Sequence, residues 1–326
     1  MKLEGTRVLV TGGAGFIGSA IVDQLLQKNC EKIVAVDNFV RGRRENLQKS
    51  LRHSHVSLIE GDIRDSALMD RLIEDSNVVF HMAALRITQC AAEPRLAKEV
   101  MVDATFDVIE KCVKHKIAKV VAASSASVYG MADQFPTPET QNPYDNRTLY
   151  GAAKAFNEGL LRSFNEMYGL PYVAMRYFNA YGPRMDIHGR YTEVLIRWME
   201  RIHNGEPPVI FGDGKQTMDF VYVNDIARAN IRGAECDVDD VVFNIGSQSE
   251  TSLEQLAVLL ARVMGRDDLQ PIYQGERKVN PVPRRLADIT AARELLGWEP
   301  QISLEQGLSD LFNWWVRERS QVVGAA

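Results

Sequence analysis

The stretch VTGGAGFIGSAIVDQLL, residues 10–26, decides the fold. A β-branched run (RVLVT, 7–11) leads into it and an apolar helical pattern leads out. Between them stand Gly12, Gly13, Gly15 and Gly18. Glycine loses more backbone freedom on folding than any other residue. A cluster of them at a strand–helix junction therefore signals a tight turn, or a backbone that something must approach closely. The spacing satisfies GxGxxG over 13–18 and TGxxGxxG over 11–18. In a strand–turn–helix context this is the cradle for a dinucleotide pyrophosphate, with its phosphates at the helix N-terminus. The next β-branched run, KIVAVD, ends in Asp37, at the expected distance of ~20 residues for a carboxylate that binds ribose hydroxyls. Such a carboxylate repels a 2′-phosphate and favours NAD over NADP, although Arg41, Arg43 and Arg44 follow. Asp62, in the GDI after the third run, is placed to hold the adenine amino group.

Working outward, strands are expected at 7–11, 32–37, 56–60, 78–82, 119–123 and 171–176. Helical patterns are expected near 17–28, 66–74, 95–116 and 150–168. Nearly continuous apolar strands separated by helices predict a parallel sheet covered on both faces. The right-handed crossover rule makes it a doubly wound α/β (Rossmann) domain. After about residue 180, turn formers cluster (Gly182-Pro183, Pro207-Pro208, Gly212, Gly214) and the alternation becomes irregular. The expected division is residues 1–178 for the NAD-binding sheet domain. Residues 179–326 would be mainly a smaller, interleaved substrate lobe, with segments returning to the sheet.

Of the 326 residues, 45% are hydrophobic and 25% charged, and the net charge of −5 argues against a nucleic-acid or anionic-membrane partner. Cys30, Cys90, Cys112 and Cys236 are scattered without a CxxC pair and read as buried hydrophobes of a reducing compartment. The N-terminus lacks an apolar signal core and no stretch reaches spanning length, so a cytoplasmic, membrane-free protein is expected. No His/Cys/Asp/Glu spacing suggests a metal. His81 reads as a packed strand-end residue, His53 and His55 as solvated, and Trp314 and Trp315 as packing in the last helix.

YGAAK, residues 150–154, opens a helix and puts Tyr150 and Lys154 on one face. Upstream, SSASVYG (124–130) follows the fifth strand, whose end opens into the ligand crevice of a doubly wound sheet. A phenol with a pKa of ~10 is a poor base at neutral pH. A neighbouring ammonium and the cationic nicotinamide both favour the phenolate; a shift of ~3 units needs roughly 4 kcal/mol. A serine hydroxyl then holds the reacting oxygen in line.

With TGGAGFIGS, VDN, GDIRD, HMAA, SSASVYG, YGAAK, RYFNAYGPR, FGDGKQTMDFVYVNDIARA and RRLADITAARELLGWEP in order, the chain resembles the extended short-chain dehydrogenase/reductase family. Within that family it is most similar to the nucleotide-sugar 4-epimerases of UDP-glucose 4-epimerase type. The resemblance implies that Tyr150 is the base at the sugar 4-hydroxyl and that Ser125 sits beside the reacting oxygen. Lys154 would hold the nicotinamide ribose and lower the Tyr150 pKa. It further implies cofactor contacts from Gly12, Gly15, Phe16, Ile17, Gly18, Asp37, Asn38, Asp62, Ile63, Ala83, Ala84 and Tyr177. Substrate contacts are implied for Arg86, Ser125, Ala126 and Asn179, the last at the diphosphate.

Dehydratases and decarboxylases of the family carry an acid or base directly after the catalytic Ser/Thr; here Ala126 and Ser127 stand there. The expected reaction is therefore NAD-dependent inversion at C4 of a UDP-glucose/UDP-galactose type sugar. The rivals are a UDP-uronate or UDP-N-acetylhexosamine 4-epimerase, a 4,6-dehydratase, and a non-catalytic NAD-binding scaffold. Three departures stand out. Met218 replaces an arginine expected against the diphosphate, leaving Arg184, Arg277, Lys278 and Arg284 as candidate replacements. Met101 replaces an asparagine. Arg285 takes the place of a frequently aromatic pocket residue; it is read as surface or phosphate-facing, the alternative being a partner for a carboxylated sugar. The helices near 95–116 and 150–168 resemble the family's homodimer interface.

Overall fold

A computed structural model of the chain describes residues 1–187, 193–275 and 282–323. Its centre is a parallel sheet of seven strands, ordered β10-β6-β5-β4-β1-β2-β3. The strands are β1 (Arg7–Thr11), β2 (Lys32–Asp37), β3 (Val56–Glu60), β4 (Val78–His81), β5 (Lys119–Ser125), β6 (Tyr172–Tyr177) and β10 (Val241–Ile245). The alternating apolar residues face opposite layers. Val8 and Val10 enter one core with Ile21, Leu25, Ile226 and Ala229. Leu9 enters the other with Met69, Val108, Ile109 and Phe164.

The first layer comprises α1 (Phe16–Leu25) and α8 (Val223–Glu235). The second comprises α2 (Ser66–Glu74), α5 (Ala104–Lys114) and α6 (Leu149–Tyr168). The short helices α3 (Ile87–Ala92) and α4 (Pro94–Lys98) precede α5. The expected helix over 95–116 is continuous from α4 into α5 and ends at Lys114, with a π-helical turn over Glu99–Asp103 inside it. Strand order reverses between β1 and β4, so the crevice that takes a ligand in this topology opens above Thr11 and His81.

The remaining chain forms a second layer of structure over the C-terminal ends of the strands. It contains β7 (Asn179–Tyr181), α7 (Val194–His203), β8 (Val209–Phe211), β9 (Thr217–Tyr222), β11 (Glu250–Ser252), α9 (Leu253–Val263), β12 (Ile272–Gln274) and α11 (Leu304–Val323), whereas α10 (Thr290–Leu296) returns to the sheet, where Ala292 and Leu296 join the core of α1 and α8. Strands β11, β9 and β7 pair in one small sheet, β12 and β8 in another. Their core includes Trp198, Ile210, Leu256, Leu260, Leu308 and Trp315. Trp315 is buried and Trp314 packs partly buried against the same cluster. Of the cysteines, Cys30, Cys90 and Cys112 are buried, whereas Cys236 is only half-buried; all are free.

Asp219, in β9, fastens this lobe. It is fully buried, and its carboxylate accepts from Ser247 N (2.5 Å), Ser247 Oγ (2.7 Å), Gln248 N (3.0 Å) and Ala287 N (3.1 Å). Three separate chain segments thus meet on one side chain. Asparagine cannot accept on both of its terminal atoms, so Asp219→Asn orphans buried N–H donors. It is expected to lower the unfolding free energy by about 3 kcal/mol, read by urea denaturation; a loss below about 0.5 kcal/mol, the range of a neutral surface change, contradicts this clamp.

Candidate active site

The glycine loop is shaped by contacts that forbid side chains. Gly12 has φ +63°, and a Cβ there would lie 3.0 Å from the Ala83 backbone across the strand switch. A Cβ on Gly18 would lie 2.2 Å from the Gly12 carbonyl oxygen, so α1 rests directly on the loop. Gly15 caps α1 without a side-chain bond, and no acidic residue occupies the first helical turn. The helix N-terminus therefore presents unclaimed N–H groups and its positive dipole to an anion. Asp37 ends β2 buried; its Oδ2 accepts from Ala14 N (3.0 Å) and its Oδ1 from Phe39 N (2.9 Å). Burial raises its pKa, opposed by these backbone donors and by Arg41. A cradle of this shape with a buried carboxylate at the neighbouring strand end fits NAD.

Asp62 is engaged differently from the expectation. Its carboxylate accepts from Asn38 Nδ2 (2.8 Å) and from Arg64 N, Nε and Nη2 (each 2.9 Å). The Arg64 bonds hold its pKa down to about 2. An adenine amino group would have to displace one of these donors. Thr11 closes the floor of the crevice: its hydroxyl accepts from Met82 N (3.1 Å) and Ala83 N (3.2 Å) and lies 2.9 Å from His81 Nδ1. With its lone pairs used, the hydroxyl donates to Nδ1. His81 is then the Nε2–H tautomer, donating to Thr105 Oγ1 at 3.1 Å. Burial and Lys154 lower its pKa to about 3. His81 is a neutral strut.

Tyr150 and Lys154 lie on α6, one helical turn apart, as expected. Thr148 caps the helix, accepting from Gly151 N at 3.1 Å. Gly151 admits close packing: a Cβ there would lie 2.5 Å from the Ser127 carbonyl oxygen. The α6 start therefore presses onto the 3₁₀ turn Ala126–Tyr129, and the Ser125 hydroxyl acts on the Tyr150 phenol, favouring its ionised form. Ser125 Oγ also accepts from Ser127 N at 3.1 Å. The Lys154 ammonium donates to Ala123 O at 2.6 Å and sits 5.9 Å from the Tyr150 ring centre. Burial lowers the Lys154 pKa to about 8. Burial also raises the Tyr150 phenol above its usual value, with Ser125 and Arg41 pulling it back. The chain's own groups thus leave the phenol protonated at neutral pH, and the expected lowering is left to the cationic nicotinamide.

Several residues support this trio that the sequence reading did not single out. Glu158, two helical turns beyond Tyr150, accepts from Arg176 Nε (2.9 Å) and Nη2 (2.6 Å) and from the Ser124 hydroxyl. Arg176 Nη1 also donates to the Tyr129 hydroxyl (2.8 Å), which donates in turn to Asn244 Oδ1 (2.6 Å). All are buried. Asn157 Nδ2 donates to Met101 O at 3.0 Å, at the π turn. Met101 itself is buried beside Cys90 and Ala153, where an apolar side chain fits. The i+4 spacing of Lys154 and Glu158 was visible, but not which strand they would meet.

The expected substrate contacts divide. Arg86 caps α3 half-buried and faces Asp186 (3.9 Å) and Glu193 (3.6 Å); Arg41 faces Asp186 at 3.9 Å. Burial and Arg86 lower the Arg41 pKa to about 10, and its charge reaches Tyr150. Asn179 begins β7 half-buried, donating to Asp219 O at 3.1 Å. Ala126 is buried at the head of the 3₁₀ turn, and Tyr177 donates to Asn230 Oδ1 at 2.8 Å. Phe16, Ile17 and Ala84 are half-buried along the crevice and Ile63 is buried beyond β3. Arg184 is engaged within the chain: it donates to Asp23 on α1 at 2.6 Å, fastening the chain after β7 to the sheet domain. Arg284 is exposed and doubly bonded to Glu250 at 2.7 and 2.8 Å. Arg277 and Lys278 lie outside the described residues. Arg285, read as surface or phosphate-facing, is not at the surface; it is 7% exposed.

Comparison with known proteins extends this geometry. The model of the NAD dependent epimerase/dehydratase family matches residues 8–246. UDP-glucose 4-epimerase of Mycolicibacterium smegmatis is 35% identical over 97% of this chain and 100% of its own. The structure resembles UDP-N-acetylglucosamine 4-epimerase from Methanobrevibacter ruminantium in complex with UDP-N-acetylmuramic acid (TM-score 0.90, 36% identity, 97% and 99% of the chains). It equally resembles the Thermotoga maritima UDP-glucose 4-epimerase with UDP-glucose (TM-score 0.89, 37% identity, 96% and 99%).

Proposed function

The chain belongs to the NAD-dependent epimerase/dehydratase family, and from that premise we propose that it inverts C4 of a UDP-hexose, UDP-glucose and UDP-galactose being the parent pair. It is an NAD-dependent enzyme of the nucleotide-sugar epimerase/dehydratase type. The observation that carries the finer reading is the turn after Ser125. Its next residues, Ala126 and Ser127, offer no carboxyl group. Removing water or carbon dioxide from the sugar requires a second proton transfer away from C4. His81 is neutral and enclosed, and Asp186 and Glu193 face Arg41 and Arg86. Among the described residues, the acid–base group left beside the reacting centre is Tyr150.

NAD in the glycine cradle supplies a hydride acceptor and donor for C4. The chain's residues do the rest. Ser125, which favours ionisation of the Tyr150 phenol, and Tyr150 hold the 4-oxygen between their hydroxyls. Tyr150 takes the 4-hydroxyl proton and later returns it. Lys154 and Arg41 lend positive charge to that phenolate, each ion within reach contributing part of the roughly 4 kcal/mol that a fall of ~3 pKa units needs. Asn179 and the second lobe hold the diphosphate while the 4-keto sugar turns its other face. Phe106 on α5 and Phe156, Met167 and Tyr168 on α6 leave 40%, 47%, 61% and 55% of their surfaces exposed, an apolar face suited to a homodimer.

With purified protein and no added reductant, a panel of UDP-hexoses, UDP-N-acetylhexosamines, UDP-uronates and dTDP-sugars followed by proton NMR is expected to yield a C4 epimer without net NADH. Tyr150→Phe is expected to lose turnover while retaining NAD absorbance. A keto-deoxy or decarboxylated product, or undiminished turnover in the variant, contradicts the reading. Sedimentation equilibrium is expected to give twice the chain mass, and Phe156→Glu a monomer; a monomeric wild type removes the dimer.

A further inference from the structure

Asn157 stands on α6 one turn beyond Lys154, 9% exposed, with only half of its amide satisfied. Its Nδ2 donates to Met101 O at 3.0 Å, whereas its Oδ1 is buried with no hydrogen-bond partner among the described residues. The amide orientation follows from the contact, because the flipped group would set two carbonyl oxygens against each other. A buried side chain that makes one bond and leaves one acceptor bare adds little net stability, since desolvation of the bare group offsets the bond. What it adds is direction. The bond fixes the axial register of α6 against the helix that runs from α4 into α5.

Met101 passes that register on. It lies within the π turn, which closes with Ala104 N donating to Glu99 O, and its Sδ accepts from Leu85 N at 3.2 Å. Its side chain packs with Cys90, Ala97 and Ala153, and Ala84, Leu85 and Tyr150 lie against them. Leu85 continues the wall that follows β4. There Met82 N and Ala83 N donate to Thr11 Oγ1, and Ala83 backs onto Gly12 of the cradle. From Thr11 the bonds run through His81 to Thr105, one turn after Met101. The circuit closes around the floor of the crevice, and the Asn157 amide ties the catalytic helix into it.

We propose that Asn157, acting through Met101, is a positioning residue for the C4 reaction, setting how Tyr150 stands against the cofactor-side wall Met82–Leu85. The inference rests on the reading of Tyr150 as the base at C4 and adds the contact that places it. Lys154 shares α6 with Tyr150 and moves with it. The register therefore governs the distance from the phenol to groups on other elements. These are Ser125, Cys90, Arg41, Glu193 and Tyr177, together with the cationic ring of bound NAD. Charge–charge attraction falls with separation, so a looser register leaves the phenol of the NAD-loaded enzyme harder to ionise.

Asn157→Leu, nearly isosteric, separates register from stability. It removes one bare acceptor, Oδ1, and creates another, Met101 O, so the thermal midpoint is expected to move little. The readout is the near-ultraviolet phenolate titration of the NAD-loaded enzyme, taken as the difference from the matching Tyr150→Phe protein. Its midpoint is expected to rise by about one pH unit, tenfold in the ionisation constant. With the UDP-hexose that the wild type inverts, kcat at neutral pH is expected to fall roughly tenfold and to recover at higher pH, while KM changes less than about threefold. Met101→Leu conserves volume and keeps the carbonyl but removes the sulfur that Leu85 N–H reaches. It is expected to shift the titration in the same direction by less. An unmoved titration in either variant that retains NAD overturns the proposal. So does a collapse in which both variants unfold and lose NAD, which makes the contact a brace of the fold and nothing more. Absence of C4 inversion by the wild type would remove the epimerase reading, while the phenolate titration still decides the register.

Discussion

The buried ion pair between Glu158 and Arg176 joins the catalytic helix to the sheet. Glu158 shares a helix face with Tyr150 and Lys154, while Arg176 belongs to the strand paired with the one that ends in Ser125. The Ser124 hydroxyl also bonds Glu158, so a single carboxylate ties α6, β5 and β6 together. Breaking a buried pair by removing one partner typically costs 3–5 kcal/mol, roughly, because the survivor is left charged and alone. Here it would also release the distance between the Tyr150 and Ser125 hydroxyls, on which the chemistry depends. A hydrophobic replacement of the pair could be as stable, but would lose the angular restraint of bidentate bonding.

Around that strut the site is assembled from desolvated charges whose costs are offset unequally. Lys154 has a carbonyl partner and a pKa brought down to about 8; Tyr150 is pushed upward; His81 is held neutral. Only the Tyr150 phenolate gains directly from a cationic nicotinamide, and once formed it favours the Lys154 ammonium in turn. A site that stores unpaired charge gains affinity and orientation from ligands that neutralise it, and discriminates against those that cannot.

Much of this was legible in the residues. The strands at 7–11 and 32–37 match their apolar runs to the residue, because a buried parallel strand has no ambiguity of face, and the edge strand at 56–60 matches as well. The glycine loop was legible because only backbone contacts explain Gly12 and Gly18. What escaped depends on distant partners. The π turn at Glu99–Asp103 lies inside the helix that the apolar spacing reads, and no local residue marks it. Arg184 carries no mark that Asp23, 161 positions earlier, will claim it. Asp219 looks like an ordinary polar strand residue until three segments converge on it. Arg285 reads as a surface residue from its charge alone; only the pinned backbone on both sides, Arg285 N to Thr217 O and Ala287 N to Asp219, reveals its burial.

The most direct measurement follows a deuterium label placed at C4 of the UDP-hexose through one round of turnover in ordinary water. If the site performs reversible hydride exchange at C4 and nothing more, the inverted product retains the deuterium at C4 and exchanges none with solvent. Deuterium lost to water, or found at C6, would mean that carbon acids elsewhere on the sugar are being deprotonated, and that Tyr150 and Ser125 serve a different reaction.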